Sequence, residues 1–341
     1  MAAPVWYLRV ALLIAGATAL VALVIENDPA AILGSITQLS WRLGVVVLLH
    51  ALVAVFDALG WRFAFPAARV PFLRLMAVRL AGEAVNMTTP TAAVGGEPVK
   101  AWLLRADAPV GETVASIIVA KTTITVAQGL FLLLGVAVAA TRLPSGSPLF
   151  LGMVWLLVTE TLALSIFLLA QVRGLLGGLG RLVGRVRLPT SLQRVDVLLR
   201  ANEVLERFYR EQPGRLVLST SAHFLGWLLG VVETLLILHF LGVDASVGTA
   251  VVIEALATGI RFVAFFIPAG LGALEGGLLV AFGALGLGPT TALSFSLVRR
   301  LREAVWIGVG LVALFRASRA VPRGPESSSN NRAMSLDCCS N

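Results

Sequence analysis

Long apolar segments alternate with short polar segments along most of this chain. A helix needs about 20 apolar residues to cross a bilayer, and six segments meet that length. They cover residues 7–25, 40–61, 113–140, 149–171, 216–241 and 290–315. Trp6, Trp41 and Trp61 lie near the ends of these spans, where aromatic residues commonly meet the membrane surface. The pattern therefore predicts an all-α polytopic membrane protein with six full transmembrane helices.

Two further segments, 72–112 and 244–288, are interrupted by proline, glycine and charge. Each contains a proline followed seven residues later by a glutamate: Pro90 and Glu97, then Pro268 and Glu275. A lipid-exposed helix cannot hold such a break, because the freed backbone groups would lack partners in hydrocarbon. We interpret the two segments as oppositely inserted re-entrant hairpins, which gives about eight hydrophobic segments in all. The competing interpretation makes each segment a pair of full crossings, and both leave the termini on the same side.

Loop charges orient these spans. Residues 62–79 contain four arginines and residues 172–215 contain nine, whereas residues 26–40 contain no lysine or arginine. Because arginine and lysine are retained on the cytoplasmic side, we predict a multi-pass protein of the bacterial inner membrane with both termini in the cytoplasm. This distribution accounts for the net charge of +8, and no nucleic-acid partner is expected.

The order span, span, hairpin, span occurs twice, in halves at about 5–140 and 149–316. An offset of 178 residues superposes Pro90 on Pro268, Glu97 on Glu275 and Lys121 on Arg299. Inverted repeats of this kind are typical of secondary transporters, so we predict one.

A single integral-membrane domain is predicted over residues 1–320, followed by a polar, disordered cytoplasmic tail over residues 321–341. The cytoplasmic loop 172–215 contains an amphipathic helical pattern. That pattern fits a helix on the membrane surface and equally fits a helix packed beneath the bundle.

The candidate site is built from the two breaks. Gly95 and Gly96 allow close approach of the backbone to a ligand, and Glu97 and Pro98 begin a half-helix whose N-terminus favours an anion. Lys100 adds a positive charge one turn later. The equivalent residues of the second break are Gly270, Gly272 and Glu275.

Charged residues inside the spans extend this site, since a charge at mid-membrane costs about 3 kcal/mol or more and must face the interior. The predicted basic residues are Lys121, Arg261, Arg299, Arg300 and Arg302. Glu160, Glu233 and Glu303 are expected to balance them, with Arg299 and Glu303 pairing along one helix face. Asp57 and Glu254 are candidates to extend the network. Two interpretations follow: a cationic cavity for an anionic head group, or buried ion pairs that fix helix register.

No catalytic or metal-binding constellation is recognisable. The three histidines, His50, His223 and His239, have neither metal spacing nor a triad context, and we assign them interfacial or packing roles. Cys338 and Cys339 are adjacent and have no metal spacing. We therefore predict no cofactor, no metal and no catalytic residue, and a protein that is not an enzyme.

The element Gly95-Gly96-Glu97-Pro98-Val99-Lys100, with Ala101-Trp102-Leu103-Leu104 after it, resembles the flippase-like family related to the transmembrane region of lysylphosphatidylglycerol synthases. Pro268 to Glu275 and the basic start of the last span resemble that family too, over most of residues 5–315. The run from Arg299 to Glu303 is also similar to the hopanoid-associated members.

The resemblance implies lipid translocation between leaflets, with Glu97, Lys100 and Glu275 at a central site and Arg299 or Arg300 as the basic residue of the last span. Lys100 replaces an arginine common in the family, which keeps the charge but loses bidentate phosphate binding. The aminoacyl-transferring domain of the synthases is not expected, so lipid modification is not implied.

The predicted function is a lipid flippase or transporter that moves an anionic or phosphate-bearing head group through a polar intramembrane groove. The alternatives are a scaffold that recruits lipid-synthesis enzymes and an integral-membrane enzyme that modifies lipids. A second copy of the chain and lipid-synthesis enzymes are the protein partners considered. The lipid, the direction and the energy source do not follow from the sequence; Glu97, Glu233 and Glu275 are the candidate proton carriers.

Overall fold

The computed structural model describes residues 14, 18, 21–26, 29–67, 70–89, 95–172, 192–265, 267 and 270–319. Over these ranges the regular structure is helical, with no strand, which confirms the predicted all-α class. The helices are α1 Pro29–Leu39, α2 Arg42–Ala64, α3 Phe72–Thr88, α4 Gly96–Leu103, α5 Val110–Ala140, α6 Pro148–Val172, α7 Leu192–Glu211, α8 Pro213–Phe240, α9 Val247–Val263, α10 Ala273–Ala284 and α11 Pro289–Arg319.

Four helices are long and apolar enough to cross a membrane: Arg42–Ala64, Val110–Ala140, Pro148–Gln171 and Pro213–Phe240. They coincide with four of the six predicted spans. The last predicted span lies in α11, a helix of 31 residues whose charges make it less apolar. The first predicted span, 7–25, lies largely outside the described residues; residues 21–25 within it are helical.

Each interrupted segment folds as two helices with a break between them. In the first, α3 has 17 residues and α4 has 8, which is about 25 Å and 12 Å of helix at 1.5 Å per residue. In the second, α9 has 17 residues and α10 has 12, or about 25 Å and 18 Å. Pro90 and Pro268 lie outside the described residues.

Prolines begin many of these helices. Pro29, Pro148, Pro213 and Pro289 are the first residues of α1, α6, α8 and α11. Proline suits this position because its ring fixes a helical φ and the missing N–H would have had no intrahelical partner. The same residue type therefore marks the start of four of the described helices.

An antiparallel pair, α2 and α8, holds the two halves together. The Ser219 hydroxyl donates to the carbonyl of Gly60 at 2.8 Å. His50, ten residues before Gly60 on α2, meets Glu233, fourteen residues after Ser219 on α8. Later positions on α2 thus contact earlier positions on α8, so the two helices run in opposite directions.

Two further helix pairs flank this one: α3 packs against α11, and α5 packs against α9. Both contacts use a glycine. A Cβ added to Gly310 of α11 would overlap the carbonyl of Leu80, and a Cβ added to Gly135 of α5 would overlap the side chain of Ala255. Close backbone approach of this kind is how helices associate in lipid, where no hydrophobic driving force exists between them.

Helix α7, from the segment 172–215, packs against the bundle. Ala201, Leu205 and Phe208 are buried in a core shared with α5. The Tyr209 hydroxyl donates to Oε1 of Gln171 at 2.8 Å, and burial raises the pKa of that phenol. Of the two interpretations of this amphipathic pattern, the packed helix is therefore the one observed. The predicted disordered tail, 321–341, lies outside the described residues.

Candidate functional site

Seven charged or titratable side chains from five helices form what we call the first charge cluster: Asp57, Arg79, Glu83, Glu97, Lys100, Lys121 and His223. With Trp61 they line a cavity of about 50 Å³. A water molecule needs about 10–15 Å³ of such space, so roughly three to five waters fit there. Three bases face three carboxylates, so with His223 neutral the formal charges cancel.

Glu97, near the start of α4, is the centre of this cluster. Its carboxylate lies 3.1 Å from Nζ of Lys100 and 3.0 Å from Nζ of Lys121 on α5. Lys100 also lies 5.7 Å from the ring centroid of Trp61, a cation–π contact. The Lys121 side chain is 43% exposed, against 9% for Lys100 and 14% for Glu97. Of these three residues, Lys121 is therefore the one that can most easily change partner.

The predicted break residues hold α4 against α3. The backbone N–H of Gly96 donates to Oδ1 of Asn86 at 2.7 Å. A Cβ on Gly96 would overlap the carbonyl of Gly82, and a Cβ on Gly82 would overlap the Lys100 side chain. Gly95 precedes α4 and Pro98 lies in its first turn. The glycines therefore allow the close crossing that brings Glu97 and Lys100 to the cavity.

Asp57 links the first charge cluster to the α2–α8 pair. Its carboxylate accepts a hydrogen bond from Nη2 of Arg79 at 2.6 Å and lies 3.0 Å from Nδ1 of His223. An aspartate buried in a membrane span needs such partners, because an unpaired charge there is costly.

We call a second group the second charge cluster. It contains four guanidinium groups, four carboxylates and one imidazole: Arg261, Arg299, Arg300, Arg302, Glu233, Glu254, Glu275, Glu303 and His50. Its formal charges also cancel when His50 is neutral. Neither cluster is therefore a preformed cationic cavity, because the carboxylates in each cluster balance the charge of its bases.

Arg299 binds Glu254 rather than Glu303, its expected neighbour along α11. The contact is bidentate, at 2.6 Å and 3.1 Å, and both side chains are 5% exposed. A planar guanidinium matches a carboxylate in this two-bond geometry, which a partner one turn away on the same helix does not offer. Glu303 instead pairs with Arg261 at 2.8 Å and with Arg300 at 3.0 Å.

Arg300 also reaches the second break. Its guanidinium donates to Glu275 at 2.8 Å, and the same carboxylate accepts from the N–H of Gly272 at 2.8 Å. Gly270 and Gly272 have φ of +61° and +78°, the left-handed region where glycine is favoured. The two predicted glycines thus form the turn that delivers Glu275 to α11.

His50 and Arg302 share one carboxylate, that of Glu233. Nδ1 of His50 lies 2.9 Å from it, and Arg302 donates to its other oxygen. His50 is seven residues from Asp57 on α2, about 10 Å along the helix. The α2–α8 pair therefore connects the two clusters into one row of charges through the protein interior.

Glu160 does not take the balancing role expected of it. It lies in α6, fully buried, and forms no ion pair with any described residue. Arg300 and Arg302, its expected partners, bind Glu275, Glu303 and Glu233 instead.

Several site residues were missed or misassigned from the sequence. His50 and His223 face carboxylates and are not merely packing groups. Arg79 was counted as a loop charge, yet it lies in α3 and binds Asp57. Asn86 received no role, although it holds the start of α4. The available signal was the seven-residue spacing of His50 and Asp57, which places them on one face of α2.

No group of three or more His, Cys, Asp and Glu side chains suited to hold a metal ion occurs within the described ranges.

Comparison with known proteins shows which family this chain resembles. Residues 7–312 match the family described as the lysylphosphatidylglycerol synthase TM region. A UPF0104 membrane protein of Methanothermobacter thermautotrophicus is 27% identical over 335 residues, covering 90% of this chain and 95% of that relative. No solved structure matches the chain. The hopanoid-associated resemblance stays a prediction. The match over nearly the whole chain shows that this membrane protein belongs to the family of the lysylphosphatidylglycerol synthase transmembrane region.

Proposed function

We propose that this protein is a lipid flippase or lipid transporter that passes a phosphate-bearing head group through the membrane interior while the acyl or isoprenoid tails stay in lipid. The observation that carries this proposal is the row of paired charges from Glu97 to Glu275, in which the acid at each helix break pairs with a base inside a long helix. Membership of the lysylphosphatidylglycerol synthase transmembrane family supports it.

The proposed architecture contains two re-entrant hairpins, α3–α4 and α9–α10. None of these four helices reaches the roughly 20 residues needed to cross the bilayer. The second helix of each hairpin begins beside the interior of a long neighbour. Glu97 meets Lys121, the twelfth residue of the 31-residue α5, and Glu275 meets Arg300, the twelfth residue of the 31-residue α11.

This correspondence also supports an inverted repeat. Exchanging the halves converts the α3–α11 contact into the α9–α5 contact, and both contacts use a glycine. It also converts the His50–Glu233 pair into a histidine of α8 facing an acid of α2, which is the role of His223 and Asp57. Because Arg300 contacts the glutamate of the second break, it is the equivalent of Lys121. It lies one position beyond Arg299, the residue that the constant offset superposes on Lys121.

A head group would enter by exchange of partners. Because the bases in both clusters already face carboxylates, a phosphate gains a base only by displacing one. Lys121 suits this step, since it is the most exposed of the paired side chains in the first charge cluster and shares Glu97 with Lys100. When a phosphate takes Lys121, Glu97 keeps Lys100, so no buried carboxylate is left without a cation. This exchange carries no covalent chemistry and needs no cofactor.

We place the protein in the bacterial inner membrane with both termini cytoplasmic, because residues 172–215, between two predicted spans, hold nine arginines. Reporter fusions at the two termini and at residue 145 test this orientation. Cytoplasmic signal at the termini and external signal at residue 145 are expected, and the reverse pattern would overturn it.

The central test is lipid movement in proteoliposomes, read from the protection of fluorescent phospholipids against an external quencher. Wild-type protein should move a phosphate-bearing lipid faster than protein-free vesicles do. Lys121→Gln should slow the movement about tenfold or more, because a hydrogen bond to a charged group contributes about 1.5–3 kcal/mol.

Arg316→Gln is the matched control, since Arg316 is an exposed base at the end of α11 and should change the rate little. Wild-type vesicles that move no lipid above background would refute the transporter. Equal rates for Lys121→Gln and wild type would refute the exchange step. A scaffold for lipid-synthesis enzymes would tolerate Lys121→Gln in cells and show no lipid movement in vesicles.

A further inference from the structure

Glu160 stands apart from every other buried acid of the described chain. It is the thirteenth of 25 residues in α6, at the centre of a predicted span, and its exposure is 0%. Most of α6 faces outward, including Trp155, Leu162 and Ile166. Glu160 therefore points inward from a helix at the edge of the bundle.

The face of α6 that carries Glu160 packs against α5. Leu149, Met153, Glu160 and Gln171 are its buried positions on the inner side. Neither carboxylate oxygen of Glu160 has a hydrogen-bond partner in standard geometry. Facing it are the side-chain amide of Gln128 and the backbone of Gly129 on α5. A carboxylate thus lies at mid-membrane beside one neutral amide.

Among the described residues, no charged group on a neighbouring helix compensates it. Helix α6 packs against α5, α9 and α10, and their charged residues are Glu112, Lys121, Glu254, Arg261 and Glu275. Lys121 is bound to Glu97, and the last three belong to the second charge cluster. Glu112, in the first turn of α5, is sixteen residues from Gln128, about 24 Å along the helix.

The three acids that the sequence suggested as proton carriers are less suited to that role. Glu97 has two lysine partners, Glu275 has Arg300, and Glu233 has Arg302. A carboxylate paired with a buried cation keeps its charge, because protonation would leave that cation without compensation.

We propose that Glu160 is a proton-binding site, which holds a proton while α6 is packed on α5 and releases it when water reaches this contact. In the acid form, the Glu160 side chain is neutral and lies beside the neutral amide of Gln128. In the carboxylate form, an uncompensated charge in the dry interface costs several kcal/mol. Loss of the proton and opening of the α5–α6 contact are therefore linked, and the proton passes to the entering water.

Helix α5 connects this site to the first charge cluster. Gln128 follows Lys121 by seven residues, two helical turns, so both side chains lie on nearly the same face of α5. A movement of α5 at Gln128 is transmitted along a rigid helix to the base that pairs with Glu97. The coupling of this proton to lipid movement rests on the proposed function, whereas the proton site itself does not.

The proton site is tested on wild-type protein with dicyclohexylcarbodiimide, which forms a stable adduct with protonated carboxyl groups in apolar surroundings. Peptide mass spectrometry should find the adduct on Glu160. The extent of labelling should fall as the pH rises from about 5 to about 9, as expected for the titration of a single group. Glu233 and Glu254, each bound to an arginine, are internal controls and should stay unlabelled. Absence of the adduct, equal labelling of all three acids, or labelling that does not change with pH would overturn the proposal.

The coupling is tested in proteoliposomes with an imposed pH difference. Wild-type lipid movement should change severalfold with that difference, and Glu160→Gln, which fixes the neutral form, should abolish this dependence. Thr161→Val, an exposed neighbour on α6, is the control and should behave as wild type. A full response to pH in Glu160→Gln would overturn the coupling. If wild-type protein moves no lipid while Glu160 still titrates, the proton site stands and the proposed transport function fails.

Discussion

The bidentate pair between Arg299 and Glu254 gives the sharpest test of how this protein holds charge inside the membrane. The two side chains bridge α9 and α11, they are 5% exposed, and their two contacts measure 2.6 Å and 3.1 Å. Glu254 also accepts a hydrogen bond from Thr234 of α8 at 2.8 Å. The carboxylate therefore joins three helices of the second half.

We expect Glu254→Ala to destabilise the protein by about 3 kcal/mol. Removing one partner of a buried ion pair costs about 3–5 kcal/mol, because the remaining charge stays buried. Glu233 and Glu303 act on the same guanidinium, which places the value near the lower end. Replacing both residues with apolar ones, Glu254→Leu with Arg299→Met, should cost much less than the two single changes added together.

The assay is unfolding of purified protein in mixed micelles by titration with a denaturing detergent, followed by circular dichroism. Glu203→Ala is the control, since Glu203 is an exposed acid on α7 and should shift stability by less than about 0.5 kcal/mol. A cost below about 1 kcal/mol for Glu254→Ala, or strict additivity in the double variant, would refute the reasoning.

Two further predictions concern the packing of α4 and of α7. Gly96→Ala should lower the yield of monodisperse protein severely, because its Cβ would overlap the carbonyl of Gly82, whereas Gly152→Ala has open space and should be tolerated; equal yields would refute the close crossing. Burial raises the pKa of the Tyr209 phenol above its ordinary value of 10.0, so its contribution is present below pH 10 and is lost as the pH rises through the raised value. Alkaline pH should therefore loosen α7, seen as faster proteolysis, while Tyr209→Phe should lose about 1 kcal/mol of stability at neutral pH and show a smaller alkaline effect; an unchanged alkaline response in this variant would contradict the assignment.

The helices of this fold could be predicted because membrane burial imposes long apolar runs. The spans around α2, α5, α6 and α8 follow directly from segment length and hydropathy. The inward orientation of charges inside spans follows from the cost of exposing them to lipid. Both constraints depend on the order of residues along the chain and not on contacts between helices.

Partner choice could not be predicted, since it depends on how the helices rotate and cross. Glu233 and His50 are 183 residues apart in sequence, and Arg299 lies 45 residues from Glu254. The sequence favoured Glu303 for Arg299 because spacing on one helix is visible without the fold. Tertiary contacts replaced that pair with a bidentate one, which offers better geometry in a dry interior.

The same lack of tertiary information explains Glu160. Because Glu160 lies at the centre of an apolar span, the sequence favoured an arginine partner across the bundle. Its actual neighbour on α5 is an amide, and that difference changes its role from charge balance to proton binding in the proposal above. A residue without the expected partner is more informative here than the residues that found one.

The two halves of the charged row differ in a way that bears on how transport would proceed. The first charge cluster borders a cavity of about 50 Å³ and contains Lys121, which is 43% exposed. In the second, Arg300, the counterpart of Lys121, is 15% exposed and its partner Glu275 is 0% exposed. If the halves are related by an inverted repeat, each can adopt the conformation of the other. Exchanging the two would seal the first cluster and open the second on the opposite side of the membrane. In the proposed transport cycle, Lys121 and Arg300 are therefore the bases that would receive the head group in turn.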